Sequence, residues 1–476
     1  MTRRTAILLP SVLLTLATLA AATPVMADVM AQRPTRVAAG TADSGTFSRS
    51  GTFSRSGRST GQVVRGIERS AHVLRTTDPG SRLRDLDVLD PMVGNAQVVG
   101  LGEATHGSRE FFRMKQRVLR HLVAQKGFRA FALELPWSSG LRLDDYVAHG
   151  KGDLEDIAHD EFQGSYDIWN NQDYRDLITW MRNYNVRHPH DPVHFVGTDM
   201  GYAGPELYDR ITDYVFRAHP KLRDRVAALY EGLRPTTDAA TYSAKYSALS
   251  LAERKDRAER TGKVLGLLEK ARPGRGADAH AQLWAVQNAR AVHQMAEGLS
   301  FDVEDDVQVA QMMKYRDRTM AANTLWWNRN TGDRMLLSAH NTHVSYDSFD
   351  LRYPKTEGAF LREVLGGKYV SIGFSFYEGG FKAFGTDDGV MRTRTIEGAR
   401  PGSNEYTLDE ARQRDYILDM RTAPPAVRAW LDQRRTTYNV GAGWPDTYEY
   451  DMALGEAHDV LIHLHEIHAT TYLGAS

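Results

Sequence analysis

The sequence contains no cysteine. This absence excludes disulfide bonds, a membrane anchor on a lipidated cysteine, a thiol nucleophile and cysteine-ligated metal ions. A fold without disulfides must be held together by its hydrophobic core. A chain of 476 residues, of which 42% are hydrophobic, is long enough to bury such a core.

The sequence also lacks a charge bias and the short motifs of several large enzyme classes. Its 59 Lys and Arg residues balance 60 Asp and Glu residues, so overall charge does not indicate a nucleic-acid partner. We find no GxSxG nucleophile elbow, in which the serine follows a buried strand as is typical of serine hydrolases, and no phosphate-binding P-loop. The GxSxG match at residues 57–61 follows a Ser- and Gly-rich stretch instead of an apolar strand. The pair Gly100-x-Gly102 is followed by Thr105 where a dinucleotide-binding motif has its third glycine.

The first residues have the pattern of an export signal. Arg3-Arg4 precedes an apolar run from Ala6 to Ala22, and Val25-Met26-Ala27 supplies small residues for cleavage. The run is short for a membrane span. We therefore expect a signal peptide at residues 1–27 and a secreted protein, extracellular or in the cell envelope, with no membrane association after cleavage. Sec and twin-arginine export both stay open.

A linker is expected at residues 28–60. There the sequence GTFSRS at residues 45–50 is repeated at residues 51–56, among Ser, Gly and Arg residues. So short a repeat cannot build a core, which predicts a disordered spacer. The first helix is expected to begin near Gln62 and to end at Asp78-Pro79-Gly80.

Five short apolar segments have the length and composition of buried β-strands, at residues 98–101, 128–133, 193–196, 335–338 and 369–374. The first two are joined by a predicted helix, and such a strand–helix–strand unit indicates a parallel sheet. Helical patterns dominate between about residues 203 and 330. We therefore predict an α/β domain over residues 61–476, with a central, mostly parallel sheet flanked by helices. The helical insertion would form a second lobe over the active-site cleft.

Ionisable residues follow four of these five strands. In chain order they are Glu103 with His106, Glu134, Asp199, and His340 with His343. The carboxyl ends of parallel strands share one edge of a sheet, and ligand crevices form outside that edge. We expect these side chains to meet there, with Glu134 on the strand next to that of Glu103.

A histidine can take a proton from water near neutral pH, and a neighbouring carboxylate can orient its ring. The pattern therefore predicts a catalytic group made of His106, Glu103, Glu134, His340 and His343. An alternative role for Glu103 is to cap the following helix.

Four further residues are candidate contacts to a substrate: Arg109, Lys115, Asp199 and Arg316. Arg109 and Lys115 flank the first turn, where a cation would stabilise developing negative charge. Both have the alternative of a solvated helix face. Asp199 has the alternative of a turn cap, and Arg316 that of an ion pair with its neighbour Asp317.

Taken together, the motifs resemble the erythromycin esterase family. The resemblance rests on GEATHG at residues 102–107, the strand that ends at Glu134, and three later segments. These segments are WMRNYN at residues 180–185, the stretch 315–326, and AHNTH at residues 339–343. The similarity runs from about Ile67 to the C-terminus.

The resemblance implies hydrolysis of a cyclic ester without a serine nucleophile and without a metal ion. The histidine that matches His106 is taken in that family as the general base. Residues matching Glu103, Glu134, His340 and His343 complete the site. A small-molecule ester is the implied substrate, with neither nucleic acid nor membrane as a partner. Where the macrolide esterases carry an arginine in the first helix, this chain has Lys115.

Three functions therefore stay open. The first is an exported hydrolase that cleaves an ester, such as a macrolide lactone, with His106 as the base and no cofactor. The second is a metal-dependent hydrolase in which the same histidines and carboxylates bind Zn²⁺ or another divalent ion. The third is a non-catalytic protein of this fold that binds a ligand, a metal or haem. The histidine-rich segment 463–468 lacks the spacing of a zinc-protease helix.

Overall fold

A computed structural model describes residues 53–272, 277–445 and 448–474. The expected signal peptide and the expected linker up to residue 52 lie outside the described residues. The last part of the expected linker belongs to helix α1, Phe53–Ser70. This helix ends before the predicted stop because the next residues, His72–Val73, leave it to pair with Tyr416 and Ile417.

In the described ranges, each strand up to the helical insertion is followed by one or more helices. The strands are β1 (His72–Val73), β2 (Val98–Leu101), β3 (Phe128–Pro136), β4 (His194–Asp199), β5 (Arg334–Ser338), β6 (Tyr369–Gly385), β7 (Met391–Ile396), β8 (Tyr416–Asp419), β9 (Arg435–Tyr438), β10 (Gly443–Trp444), β11 (Glu449–Met452) and β12 (Val460–Ile467).

The helices after α1 are α2 (Leu89–Val93), α3 (Arg109–Lys126), α4 (Trp137–His149), α5 (Leu154–Glu161), α6 (Gln172–Arg187), α7 (Pro205–Ala218), α8 (Arg223–Tyr230), α9 (Ala239–Ser247), α10 (Leu251–Lys270), α11 (Ala277–Gly298), α12 (Asp306–Thr331), α13 (Asn341–Val344), α14 (Glu357–Leu365), α15 (Asn404–Asp409), α16 (Pro425–Leu431) and α17 (Leu454–Ala457). Within residues 53–272, 277–445 and 448–474, none of the helices is both long and apolar enough to span a membrane.

The central sheet confirms the predicted α/β fold. Strands β4, β3, β5, β2, β6 and β12 lie side by side in this order, all parallel. Strands β8 and β1 continue the sheet as antiparallel neighbours. The expected adjacency of β2 and β3 is wrong. After the helical insertion the chain returns between them, and β5 pairs with both.

The two faces of the sheet bury different sets of helices, because successive strand residues point to opposite faces. Val98 and Val196 belong to the same hydrophobic cluster as residues of the helical lobe, for example Val264. Their neighbours Val99 and Phe195 pack with the other face, which α3 and α6 cover. The predicted helical lobe is therefore confirmed as helices α7 to α12, and it shares a hydrophobic core with the sheet.

The segment after β12 crosses the start of α3. Within residues 468–473, the carbonyl of residue 468 accepts a hydrogen bond from Arg109 N at 2.8 Å. The amide of residue 470 donates to Gly107 O at 3.0 Å. Further along, the segment bonds with Gln172 N and Asn170 O. This C-terminal segment thus ties the turn after β2 to the start of α6.

The contact between α4 and β4 requires glycine at residue 140 of the helix. A Cβ atom on Gly140 would lie 2.0 Å from the backbone nitrogen of Gly197. We expect Gly140→Ala to lower the free energy of unfolding by at least about 1–3 kcal/mol, the usual cost of overpacking. Chemical denaturation measures this change.

Gly266→Ala in α10 is the matched control. No atom lies within 4 Å of the added Cβ there. The better helix propensity of alanine should therefore raise stability by about 0.5–1 kcal/mol. Equal stability of Gly140→Ala and the unmodified protein would contradict the close approach of helix and strand.

Candidate active site

The turn after β2 carries a buried triad of charged and polar side chains. The Glu103 carboxylate is fully buried, and one of its oxygens accepts a hydrogen bond from His106 Nδ1 at 2.6 Å. The other oxygen accepts a hydrogen bond from Lys115 Nζ, which reaches it from α3. Ser108 occupies the N-cap of α3. Glu103 is therefore a partner of the histidine, and its alternative role as the helix cap is wrong.

The His106 ring is held between two other rings. The ring centroid of His340 lies 4.7 Å away, and that of Trp169 lies 5.2 Å away in an edge-on arrangement. The His106 side chain keeps 12% of its surface exposed. Its Nδ1 donates to Glu103, so Nε2 carries the lone pair. Within the part of the chain that the structure describes, Nε2 has no hydrogen-bond partner.

A second network surrounds Arg316, which extends from α12. Its guanidinium donates to Glu134 Oε1 at 2.7 Å and to Asp199 Oδ2 at 2.5 Å. Tyr166 also donates to Asp199, at 3.0 Å. Asp199 in addition accepts from the amide of Met200 at 2.7 Å, so it caps the turn as well as pairing with arginine.

His343 joins this network through two carboxylates. Its Nδ1 lies 2.8 Å from Asp317 Oδ1, and its Nε2 lies 3.3 Å from Glu134 Oε1. Burial alone would lower the pKa of His343, but Asp317 and Glu134 hold it well above the usual value. The alternative in which Arg316 pairs with Asp317 is wrong. Adjacent residues on a helix face different directions, and each side chain finds a partner elsewhere.

Glu134 stands at the centre of these contacts. Burial would raise its pKa, but the charges of His343 and Arg316 hold the pKa well below the usual value. Its second oxygen accepts a hydrogen bond from the backbone amide of His340 at 3.2 Å. Glu134 is therefore an anion that connects two of the three histidines.

His340 differs from the other two histidines. Its Nε2 lies 3.0 Å from the carbonyl oxygen of Val440, and its Nδ1 lies 3.2 Å from the hydroxyl of Thr342. Burial and the neighbouring histidines hold its pKa well below the usual value. The site thus contains one protonated imidazole, one neutral and fully bonded imidazole, and His106.

Two of the candidate substrate contacts have other partners in the structure. Lys115 is fully buried against Glu103, and burial lowers its pKa. Arg109 is half-buried, and its guanidinium donates to the carbonyl of Ala469 at 3.4 Å. Within the described ranges, no hydrogen bond joins Arg109 to the carboxylates or histidines of the site. The other predicted site residues all lie in the two networks.

Asp317, Trp169 and Tyr166 contact the site but were not among the predicted site residues. Asp317 reaches the site because helix α12 sets it, together with Arg316, against the sheet edge. Trp169 and Tyr166 lie in a short 3-10 helix, Gly164–Trp169, that has no sequence signal of function. Trp169 is fixed by donating to the carbonyl of Glu134 at 2.9 Å.

The described ranges contain no group of three or more His, Asp or Glu residues arranged to hold a metal ion. In the C-terminal histidine-rich segment, His463 and His465 both contact Asp409. Residues 180–185 of the family motif lie away from the site. There Asn185 bonds the backbone of Val147 and Val193, which is a structural role.

The charge state of His343 can be measured. Because Asp317 is the main cause of its raised pKa, Asp317→Asn should lower this pKa. We expect His343 to stay protonated through neutral pH in the unmodified protein and to titrate at lower pH in the variant. NMR of ¹⁵N-histidine-labelled protein, with His343→Gln for assignment, follows both.

The same variant should lose stability with a defined pH dependence. The contribution of a raised histidine pKa is fully present below the unfolded value, about 6.5, and is lost as pH rises through the folded pKa. The stability difference should therefore shrink at high pH. Asp388→Asn, at an exposed pair with Arg392, is the control. An unchanged His343 titration in Asp317→Asn would contradict the assigned network.

Comparison with known proteins places this chain in a family. The model of the erythromycin esterase family matches residues 123–467. Erythromycin esterase type II of Escherichia coli is 23% identical over 322 residues, which cover 63% of this chain and 74% of that protein. At this level the match supports a hydrolase with a small-molecule substrate.

Solved structures show the same fold. A Bacillus cereus protein is 29% identical with a TM-score of 0.78, and the match covers 87% of this chain and 99% of that one. A succinoglycan biosynthesis protein is 27% identical with a TM-score of 0.76 and the same coverage. An erythromycin esterase mutant in its open conformation is 18% identical with a TM-score of 0.63, over 85% of this chain and 99% of that one. From the family match over most of its length, the chain belongs to the erythromycin esterase family.

Proposed function

We propose that this chain is an exported, serine-independent ester hydrolase in which His106 activates water. The observation that carries the proposal is the pair formed by Glu103 and His106. Glu103 accepts the hydrogen of Nδ1 at 2.6 Å, which leaves the lone pair on Nε2 of a ring that keeps 12% of its surface exposed. An imidazole held in this way is suited to act as a general base.

The reaction follows from these positions. His106 Nε2 takes one proton from water while the water oxygen attacks the ester carbonyl carbon. The carbonyl electrons move to oxygen and form a tetrahedral oxyanion. When the oxyanion collapses, the C–O bond to the alcohol breaks, and the His106 imidazolium returns its proton to the leaving alkoxide. The products are a carboxylic acid and an alcohol, and the base is regenerated.

The charged groups around His106 support this reaction without acting as the base. Lys115 fixes the Glu103 carboxylate, and Glu103 stabilises the imidazolium that forms on His106. Arg316 and protonated His343 provide positive potential at the same sheet edge, which favours the oxyanion. His343 lies against two carboxylates that hold its pKa well above the usual value, so it is poorly suited to act as the base.

The substrate is proposed as an ester, with a macrolide lactone as the first compound to test. The family and its Escherichia coli member suggest this class. The lysine at position 115 is fully buried against Glu103. The lysine that replaces the family's arginine at this position therefore contacts Glu103. It keeps the positive charge but cannot make the planar, bidentate contacts of an arginine. Simple esters belong in the same screen, because the fold is shared with a succinoglycan biosynthesis protein.

We expect His106→Ala to lose at least ~10²-fold in kcat, since general-base catalysis typically contributes ~10²–10⁴-fold. The assay is mass-spectrometric detection of a gain of one water by erythromycin, p-nitrophenyl acetate and p-nitrophenyl butyrate. His159→Ala is the control, because the side chain of His159 is 84% exposed. Full turnover by folded His106→Ala would show that the mechanism is wrong.

The same assay distinguishes the two other functions. Metal-stripped protein should keep full activity if His106 activates water unaided, whereas loss on chelation and recovery on adding Zn²⁺ would favour the metal-dependent hydrolase. Stoichiometric ligand binding with no turnover of any ester would favour the binding protein.

Export is tested separately. We expect secretion of the full chain to yield a mature protein that begins at Asp28, after cleavage behind Val25-Met26-Ala27. Deletion of residues 1–27 should keep the protein inside the cell. Mass spectrometry of the secreted protein reads the new N-terminus. A secreted product that keeps residues 1–27 would contradict cleavage at this position.

A further inference from the structure

Two consecutive residues of the loop after β9 hold both ring nitrogens of His340. Val440 accepts from Nε2 directly, at 3.0 Å. Asn439 reaches Nδ1 through Thr342: its amide Nδ2 donates to the Thr342 hydroxyl oxygen at 2.9 Å, and this oxygen lies 3.2 Å from Nδ1. Asn439 and Thr342 are both buried, with 3% and 5% of their surface exposed.

The chemistry of the four groups sets the direction of each hydrogen bond. A carbonyl oxygen only accepts, so His340 Nε2 must carry a hydrogen. In the neutral ring Nδ1 is then an acceptor, and the Thr342 hydroxyl donates to it. The same hydroxyl oxygen is free to accept from Asn439. In this series of hydrogen bonds from Asn439 to Val440, each bond has one donor and one acceptor. The His340 ring is therefore left with one tautomer.

The loop that holds His340 is also attached to the turn of His106. The Val440 amide donates to the carbonyl of Ala104 at 2.7 Å, and Val440 pairs with Thr105 in a short parallel bridge. Val440 is therefore hydrogen-bonded both to the His340 ring and to the turn that carries His106. The centroids of the two histidine rings lie 4.7 Å apart.

We propose that Thr342 and Asn439 are positioning residues that hold His340 as a neutral imidazole, hydrogen on Nε2, against which the His106 ring rests. The inference rests on the proposed role of His106 as the base. A protonated His340 would be a cation beside His106 and would make His106 a weaker base. Burial, His106 and His343 oppose that protonation, whereas Glu134 and the Val440 carbonyl favour it.

Thr342→Val tests this directly, because it keeps the shape of the side chain and removes the hydroxyl. We expect kcat on the best ester of the panel to fall about tenfold, which corresponds to the loss of one hydrogen bond, with little change in KM. Thr342→Ser restores the hydroxyl and should stay within about twofold of the unmodified protein. Asn439→Leu should lower kcat in the same direction.

Thr212→Val is the matched control. Thr212 donates to the carbonyl of Tyr208 at 2.8 Å within α7, away from the site, so kcat should not change. Thermal unfolding of all variants identifies any that fail to fold. If Thr342→Val fails to fold, Thr342→Ser and the NMR measurement described next test the inference instead.

A second measurement does not depend on activity. In ¹⁵N-histidine-labelled resting protein, His340 should show a protonated Nε2 and a hydrogen-bonded, unprotonated Nδ1 between pH 6 and 8. In Thr342→Val the Nδ1 resonance should move towards that of a nitrogen without a hydrogen bond. A protonated Nδ1 in the unmodified protein, or an Nδ1 resonance unchanged by Thr342→Val, would overturn the inference.

A double variant separates this inference from the proposed function. If Thr342 acts through His340 on His106, Thr342→Val should cost nothing further in a His106→Gln background. An equal cost in both backgrounds would show that Thr342 acts elsewhere and would overturn the inference alone. Full activity of His106→Gln would instead remove the proposed function, and the NMR result would still decide the tautomer of His340.

Discussion

Neutralisation of buried charge at the carboxyl edge of the sheet is the constraint on which the rest of the site depends. The carboxylates of Glu103, Glu134, Asp199 and Asp317 are all nearly or fully buried. An unpaired charge in such a place costs several kcal/mol, so each one needs a cationic or hydrogen-bonding partner. Lys115, Arg316 and His343 supply the positive charges. These partners come from α3, α12 and the segment after β5, which fixes the lobe and the sheet relative to each other.

The same constraint gives three histidines three different properties. His343 lies between two carboxylates and keeps its proton, whereas His340 lies against a carbonyl and a hydroxyl and stays neutral. His106 has a single carboxylate partner and keeps 12% of its side-chain surface exposed. Residue type alone does not assign these roles; the partners of each ring nitrogen do.

Much of the architecture could be predicted from the sequence, because buried strands and amphipathic helices leave local patterns. The five parallel strands and the helical lobe are in this class, and the strand ends locate Glu103, Glu134, Asp199 and the histidines. The order of strands was not predictable, because the insertion of β5 between β2 and β3 depends on the return of a distant segment. The same holds for the partners of Arg316 and for Val440, whose backbone carbonyl contacts His340 without any side-chain signal.

The C-terminal segment has a consequence for biosynthesis. It bonds to the turn that carries His106, and Arg109 in that turn contacts Ala469, 360 residues further along the chain. At a synthesis rate of about 5–20 residues per second, these two parts of the chain are made on the order of tens of seconds apart. A nascent chain therefore cannot form the contacts that close the His106 turn until β12 and residue 469 have been made, so the site is assembled no earlier than the last strand of the sheet.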